Sequence, residues 1–136
     1  MDIFKSLMIA ATGLRAQSSR MRVISENIAN AQSTATTPGG DPYRRKISTF
    51  KQEFDRELNA NVVMPGRILK DNTEFSLKYD PSHPAANATG YIKLPNVNSL
   101  IEMADMREAQ RSYEANLNVI TSTRKMMVRT IDILRA

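Results

Sequence analysis

Two apolar stripes, one near each end of the chain, with a long turn-rich stretch between them, constrain this sequence more than any other feature. The first runs Ile3, Leu7, Ala10, Leu14, Gln17, Met21, Ile24, Ile28, in steps of four and three with Gln17 the one polar member. The second runs Met103, Met106, Gln110, Tyr113, Leu117, Ile120, Arg124, Met127, Ile131, Leu134. Such steps keep side chains on one face of a helix that winds around a partner. Two helices at opposite ends of one chain are therefore expected to lie side by side, with the middle looping out.

The ends of these helices can be read from local chemistry. Asp2 can cap the first. Beyond Ile28 come Asn30, Ser33, Thr34, Thr36, Thr37, Pro38, Gly39 and Gly40, which favour turns or disfavour helix. The first helix is expected to end near residues 30–34, in a flexible joint. In the second helix Ser99 and Glu102 stand three apart, the spacing of a capping box. Glu102, Asp105 and Glu108 crowd its beginning and Arg124, Lys125, Arg129 and Arg135 its end, the arrangement a helix dipole favours.

The period changes in the middle. YRRKISTF alternates around Ile47 and Phe50, and GRILKDNTEFSLKYD gives two short stretches broken at Asp71 and Asn72, which predicts a small β hairpin. FKQEFDREL between them is compatible with a helical turn. Pro81, Pro84 and Pro95 oppose helix, so YDPSHPAANATGYIKLPNVN is expected to run extended across a neighbour's surface. The expected fold class is mainly α with a small β part. Its terminal helices pair as a coiled-coil-like bundle, and the middle forms an extended or β-hairpin outer element. Residues 1–31 and 97–136 would form a discontinuous helical domain, and 32–96 a linker plus a β-containing outer region.

A two-helix pair buries one stripe per helix, too little surface for comfortable stability in a chain of 136 residues. Phe4, Met8, Ala11, Val119, Met126 and Ile133 lie off the stripes and would face water in a monomer. They are expected to pack against other subunits. Ala10, Ala11, Ala16, Ala29, Ala104, Ala109 and Ala115 permit close helix approach, and the eight methionines adapt to non-identical surroundings. A repeated contact between different faces generates an open helical array. Charged or amide positions on the stripes have two readings. Gln17 and Gln110 either set register or are exposed where the helices diverge, and Arg124 either pairs with an acid on an adjacent chain or snorkels to solvent. Tyr113 packs on the stripe with its hydroxyl at the edge.

Other function classes find little support. The net charge of +5 divides into four bases against two acids in residues 1–31, nine against seven in 32–96, and six against five in 97–136, so no segment forms a strong basic stripe. Arg44, Arg45 and Lys46 without stacking aromatics read as a solvated strand edge or a partner for acids, not a nucleic-acid site. The lone His83 near Asp80 makes neither a metal site nor a proton-transfer pair, and reads as a loop histidine bonded to backbone or to another subunit. Gly39-Gly40 lacks the Lys and Ser/Thr of a phosphate loop. With zero cysteines, disulfides and thiolate metal sites are excluded. No catalytic residue, cofactor or metal is expected. No run approaches 18 apolar residues, so no membrane insertion is expected, and the acid at Asp2 with helical spacing does not read as a cleavable signal.

SENIANAQ followed by PYRRK resembles the N-terminal signature of bacterial flagellar rod and hook proteins, and NVNSLIEMADMREAQRSYEANLNVI resembles their C-terminal signature. The likeness runs from the first residues to the last. It implies that Asn27, Ala29 and Asn30 end an inner helix and that Pro42, Tyr43 and Arg44 begin the outer part. It further implies that Glu102, Met103, Arg111, Tyr113, Glu114, Ala115 and Asn116 belong to the C-terminal helix signature. Gln17, Gln110, Arg111, Glu114, Asn116 and Arg124 are then candidates for register or intersubunit contacts. The resemblance implies an α-helical inner tube with a small β outer part, and export of the unfolded chain by the flagellar type III apparatus without signal cleavage. Assembly would follow in the periplasmic space. The implied partners are further copies of the chain, the proximal rod proteins FlgB, FlgF and FliE, and the distal rod protein FlgG. The long linker from Gln32 to Asp41 departs from other rod and hook proteins, which pass almost directly to Pro-Gly-Tyr. A coiled-coil adaptor or secretion chaperone that binds axial proteins without joining the array is the alternative.

Overall fold

The computed structural model describes residues 3–135, so the capping role of Asp2 lies outside the described residues. In chain order the elements are α1 (Ile3–Ala29), β1 (Lys46–Asp55), β2 (Ala60–Lys70), β3 (Ser76–Tyr79), β4 (Tyr91–Leu94) and α2 (Ser99–Arg135). The fold is mainly helical with a small β part. The helices have 27 and 37 residues. Two compact units can be distinguished, each drawing on both helices: one comprises residues up to Met21 with Ser48–Arg67 and residues from Arg107 onward, the other Arg22–Ile47 with Ile68–Met106.

Helix α1 ends where Asn30 turns back on it. Both the amide and the side-chain Nδ2 of Asn30 donate to the Glu26 carbonyl, at 3.1 and 2.8 Å, and Ser33 then bonds the Asn30 carbonyl through amide and hydroxyl. These donors satisfy carbonyls that a helix end leaves open. In the second unit the segment after α1 bonds to the outer part of the chain at two points. Gly39, in the left-handed region at φ 70°, donates its amide to the Ala85 carbonyl at 3.2 Å, and Lys93 reaches Asp41 at 2.7 Å.

Strands β1 and β2 form a two-stranded sheet joined by a tight turn. FKQEFDREL thus supplies strand and turn, not helix. Asp55 Oδ1 accepts from the amides of Glu57 and Leu58, and Asn59 takes φ 47°, which an Asn tolerates better than a branched residue. Gly66 is required for close approach, because a Cβ there would stand 2.5 Å from Thr49 Oγ1. Strands β3 and β4 pair antiparallel, Ser76 opposite Leu94 and Tyr79 opposite Tyr91, whose rings meet edge to face at 5.2 Å. The proline-bearing segment therefore folds on itself instead of running extended. Asn87 Oδ1 gathers the Thr89 and Tyr91 amides, Ala85 and Ile92 are buried, and His83 Nδ1 accepts the Ala85 amide at 3.0 Å.

Helix α2 starts differently from the capping-box expectation. Asn98 is the cap, its Oδ1 accepting the amides of Leu100 at 3.0 Å and Ile101 at 3.4 Å. Glu102 is then free to bond elsewhere. Buried apolar side chains are alanine and valine in the first unit, at Ala10, Ala16, Val62 and Ala109, and include isoleucine in the second, at Val23, Ile24, Ala85 and Ile92.

Candidate functional site

In the second unit the most buried polar groups converge where α1 ends and α2 begins. Asn27 is 1% exposed and Glu102 fully buried. Asn27 Nδ2 donates to the Lys46 carbonyl at 2.8 Å and to Glu102 Oε2 at 3.1 Å, while its Oδ1 accepts the Lys46 amide at 2.9 Å and the Tyr43 hydroxyl at 2.8 Å. Every hydrogen-bonding position of this carboxamide is filled. Glu102 Oε1 accepts from Arg45 Nε at 2.6 Å, and the same guanidinium reaches Asp71 at 3.4 Å and Asp105 at 3.9 Å.

A second tier holds the outer strands to this junction. Asn96 Oδ1 accepts the Arg45 amide at 2.8 Å, and its Nδ2 donates to the Thr73 hydroxyl at 2.8 Å. Arg44 donates to the carbonyls of Asp71 and Thr73 and lies over the Phe75 ring at 4.2 Å. Burial disfavours the Arg45 charge, yet its hydrogen bonds to Glu102 and Asp71 outweigh that and raise its pKa. The Thr73 amide, aided by the Thr73 hydroxyl and Arg45, holds the Asp71 carboxyl below the usual carboxylate range despite opposing desolvation. Burial is the leading cause that pushes the Tyr43 phenol up. Removing one partner of a buried ion pair such as Arg45–Glu102 costs about 3–5 kcal/mol, because the other charge stays desolvated.

Of the residues expected at this junction, Asn27 and Tyr43 enter the carboxamide cluster, Arg44 braces the second tier, and Asn30 closes α1. Pro42 is half-buried and Ala29 exposed. Arg45, Asp71 and Asn96 were not singled out as site residues. The run Arg44-Arg45-Lys46 carried the one available signal, as partners for acids: Arg45 pairs with Glu102, and Lys46 with Glu26 at 2.8 Å.

The first unit brings the two helices together through small residues. A Cβ on Gly13 would stand 3.0 Å from the Asn116 amide group, and Arg20 approaches Glu108 at 3.6 Å. Ala10, Ala16, Ala109 and Thr123 are buried. On α2 the covered positions of this unit are therefore Ala109, Ser112, Tyr113, Asn116, Ile120 and Thr123, which share Tyr113 and Ile120 with the apolar stripe but otherwise sit one residue before it. Leu117, Met127, Ile131 and Leu134 are exposed, as are Gln110, Arg111, Glu114 and Arg124. In the other unit Met103 is exposed and Met106 half-buried. On α1 Ala10 and Ile24 are buried, and Ile3, Leu7, Leu14, Gln17, Met21 and Ile28 half-buried. Gln17 Oε1 is buried and accepts no hydrogen bond within the chain.

Among the described residues no group of three His, Asp or Glu side chains is placed to hold a metal ion, and no helix is long and apolar enough to cross a membrane. The chain matches two family profiles, "Flagella basal body rod protein" over residues 7–35 and "Flagellar basal body rod FlgEFG protein C-terminal" over 88–133. It is 55% identical over 128 residues to the flagellar basal-body rod protein FlgC of Agrobacterium fabrum, covering 94% of this chain and 92% of that one. The chain belongs to the FlgC family of flagellar basal-body rod proteins. The FlgC of Borreliella burgdorferi is 42% identical with 99% of each chain covered, and that of Salmonella typhimurium 37% with 92% of each. The N-terminal match of this FlgC-family chain ends just beyond the junction residues of α1, and the C-terminal match spans Asn96, Glu102 and the exposed face of α2 as far as Ile133.

Proposed function

We propose that this structural subunit of the flagellar basal-body rod polymerises through the outward faces of its terminal helices into the proximal part of a tubular axis. The observation that carries the reading is the row of large apolar side chains that α2 leaves in water, from Leu117 at 45% exposed to Leu134 at 81%. Such a row costs about 25 cal/mol per Å² until another surface covers it. Packing at native density then makes bending strain many contacts together, so a tube of these helices is stiff enough to carry torque. The tube would enclose the export channel, with residues 1–31 and 97–136 as its wall and 32–96 outside. That the relatives are named flagellar basal-body rod proteins supports assembly with other axial proteins, and the finer reading adds FlgB, FlgF, FliE and FlgG as neighbours. It also adds a periplasmic position after type III export without signal cleavage, and no enzymatic role. Detergent-resistant basal bodies purified from cells carrying a tagged chain test this. A subunit remains in them through extraction, whereas an adaptor or secretion chaperone is absent from the isolated rod.

A further inference from the structure

We propose that the groove between α1 and the β1–β2 hairpin, inside the first unit, receives the C-terminal end of α2 from a second copy of the chain; this rests on the rod-subunit reading above. The groove has a volume of about 560 Å³. Met8, Ala11, Val62 and Met64 give it an apolar floor, and Glu53, Asp55 and Glu57 stand along the hairpin side. It occupies a face of α1 distinct from the one that meets α2. The groove takes Met8, Ala11 and Arg15, while Gly13 and Arg20 lie against α2. Within one copy α2 therefore lies away from the groove.

The end of α2 has the complementary chemistry. Met126, Met127, Val128, Ile131, Ile133 and Leu134 are 37–81% exposed. Three of them are consecutive, and at 3.6 residues per turn they point around more than half of the helix. An apolar face this wide is covered better by an enclosed setting than by a flat one. A groove with a helix on one side and a hairpin on the other encloses more of it than a flat surface does. Charge agrees: residues 124–135 carry Arg124, Lys125, Arg129 and Arg135 against Asp132. The groove sets its three carboxylates against Arg15 and Arg56, and Lys51 already pairs with Glu53 at 2.9 Å, which leaves Asp55 and Glu57 at the hairpin turn to face the basic end of α2. Opposite potentials of this kind fix orientation and register. The two patches are different surfaces of the same molecule, so their contact is head-to-tail and repeats into an open array.

The sequence lacks cysteine, which leaves a clean background for cross-linking. Met64→Cys and Ile131→Cys are produced as separate chains in one cell, basal bodies are isolated, and a short bismaleimide is added. A mixed Met64–Ile131 dimer is the expected product. Both variants present in the rod without that dimer, or Ile131 joined only to itself, overturns the docking and leaves the rod reading standing. Absence of both chains from basal bodies overturns the rod reading and the docking with it. As a second measurement, Glu57→Arg and Arg129→Glu are each expected to lower the mixed-dimer yield about two- to fivefold, the size of an exposed ion pair, and to restore it in combination. Unchanged yield with either single variant overturns the proposal.

Discussion

The side chain of Asn27 meets the main chain of Lys46 as a neighbouring strand would, donating to its carbonyl at 2.8 Å and accepting its amide at 2.9 Å. A carboxamide at the end of α1 thereby terminates β1 and fixes where the outer segment leaves the helix. Because the other two bonds of Asn27 go to Tyr43 and Glu102, one residue ties three separate pieces of chain.

Asn27→Asp keeps the shape and the acceptor but removes both donors and sets a carboxylate against that of Glu102. It is expected to destabilise the chain by about 2–4 kcal/mol, through an unpaired buried carbonyl and like-charge repulsion. Urea unfolding followed by circular dichroism measures this. Adding Glu102→Gln should recover part of the loss, and an equal or larger loss in the double variant would contradict direct contact.

The cap of α2 gives a sharper contrast. Asn98→Ala is expected to cost about 1 kcal/mol, since two amides lose their acceptor, and Ser99→Ala to stay within about 0.5 kcal/mol. Equal losses in thermal unfolding would restore Ser99 as the cap.

At Gly13 two effects oppose one another. Alanine improves helix propensity by about 1 kcal/mol, but its Cβ would stand 3.0 Å from the side chain of Asn116. Gly13→Ala alone is expected to be neutral or destabilising, and stabilising once Asn116→Ala makes room. The coupling energy of this pair should exceed about 0.5 kcal/mol in a double-mutant cycle. Strict additivity would place the helices farther apart.

Acid should loosen the second unit through Asp71. Its carboxyl is held below the usual range, first by the Thr73 amide, so the ionised form is favoured in the folded chain. The resulting stabilisation is present in full above the unfolded value of about 3.9 and is lost as pH falls through the lower folded value. Stability measured between pH 6 and pH 2 should fall less steeply in Asp71→Asn than in the parent chain.

Leu117→Asp separates folding from assembly. Leu117 is 45% exposed, so the isolated chain should unfold within about 1 kcal/mol of the parent, while rods fail to form because assembly would bury an unpaired charge. His83→Ala should leave rod assembly nearly unchanged. Motility, with basal-body yield, reads both.

What the sequence determined by itself is local in origin. Helix period, turn chemistry at Ser33 to Gly40 and the break at Asp71 all act over a few residues, so both helices and the strand-forming stretches at KISTF, GRILK and SLKY could be read directly, whereas FKQEFD and YIKL could not. The signature residues Asn27, Tyr43 and Glu102 were legible too, though not the bonds that unite them. Only the tertiary structure decided three things. It set the phase of α2, because close approach at Gly13, Ala16 and Ala109 selects for small size where a periodic reading selects for oiliness. It sent Glu102 to Arg45 and Asn27, since a buried carboxylate takes the strongest donors in space and not the nearest in sequence. It paired SLKY with YIKL across a folded loop, because strand partners are chosen by contacts between residues far apart along the chain.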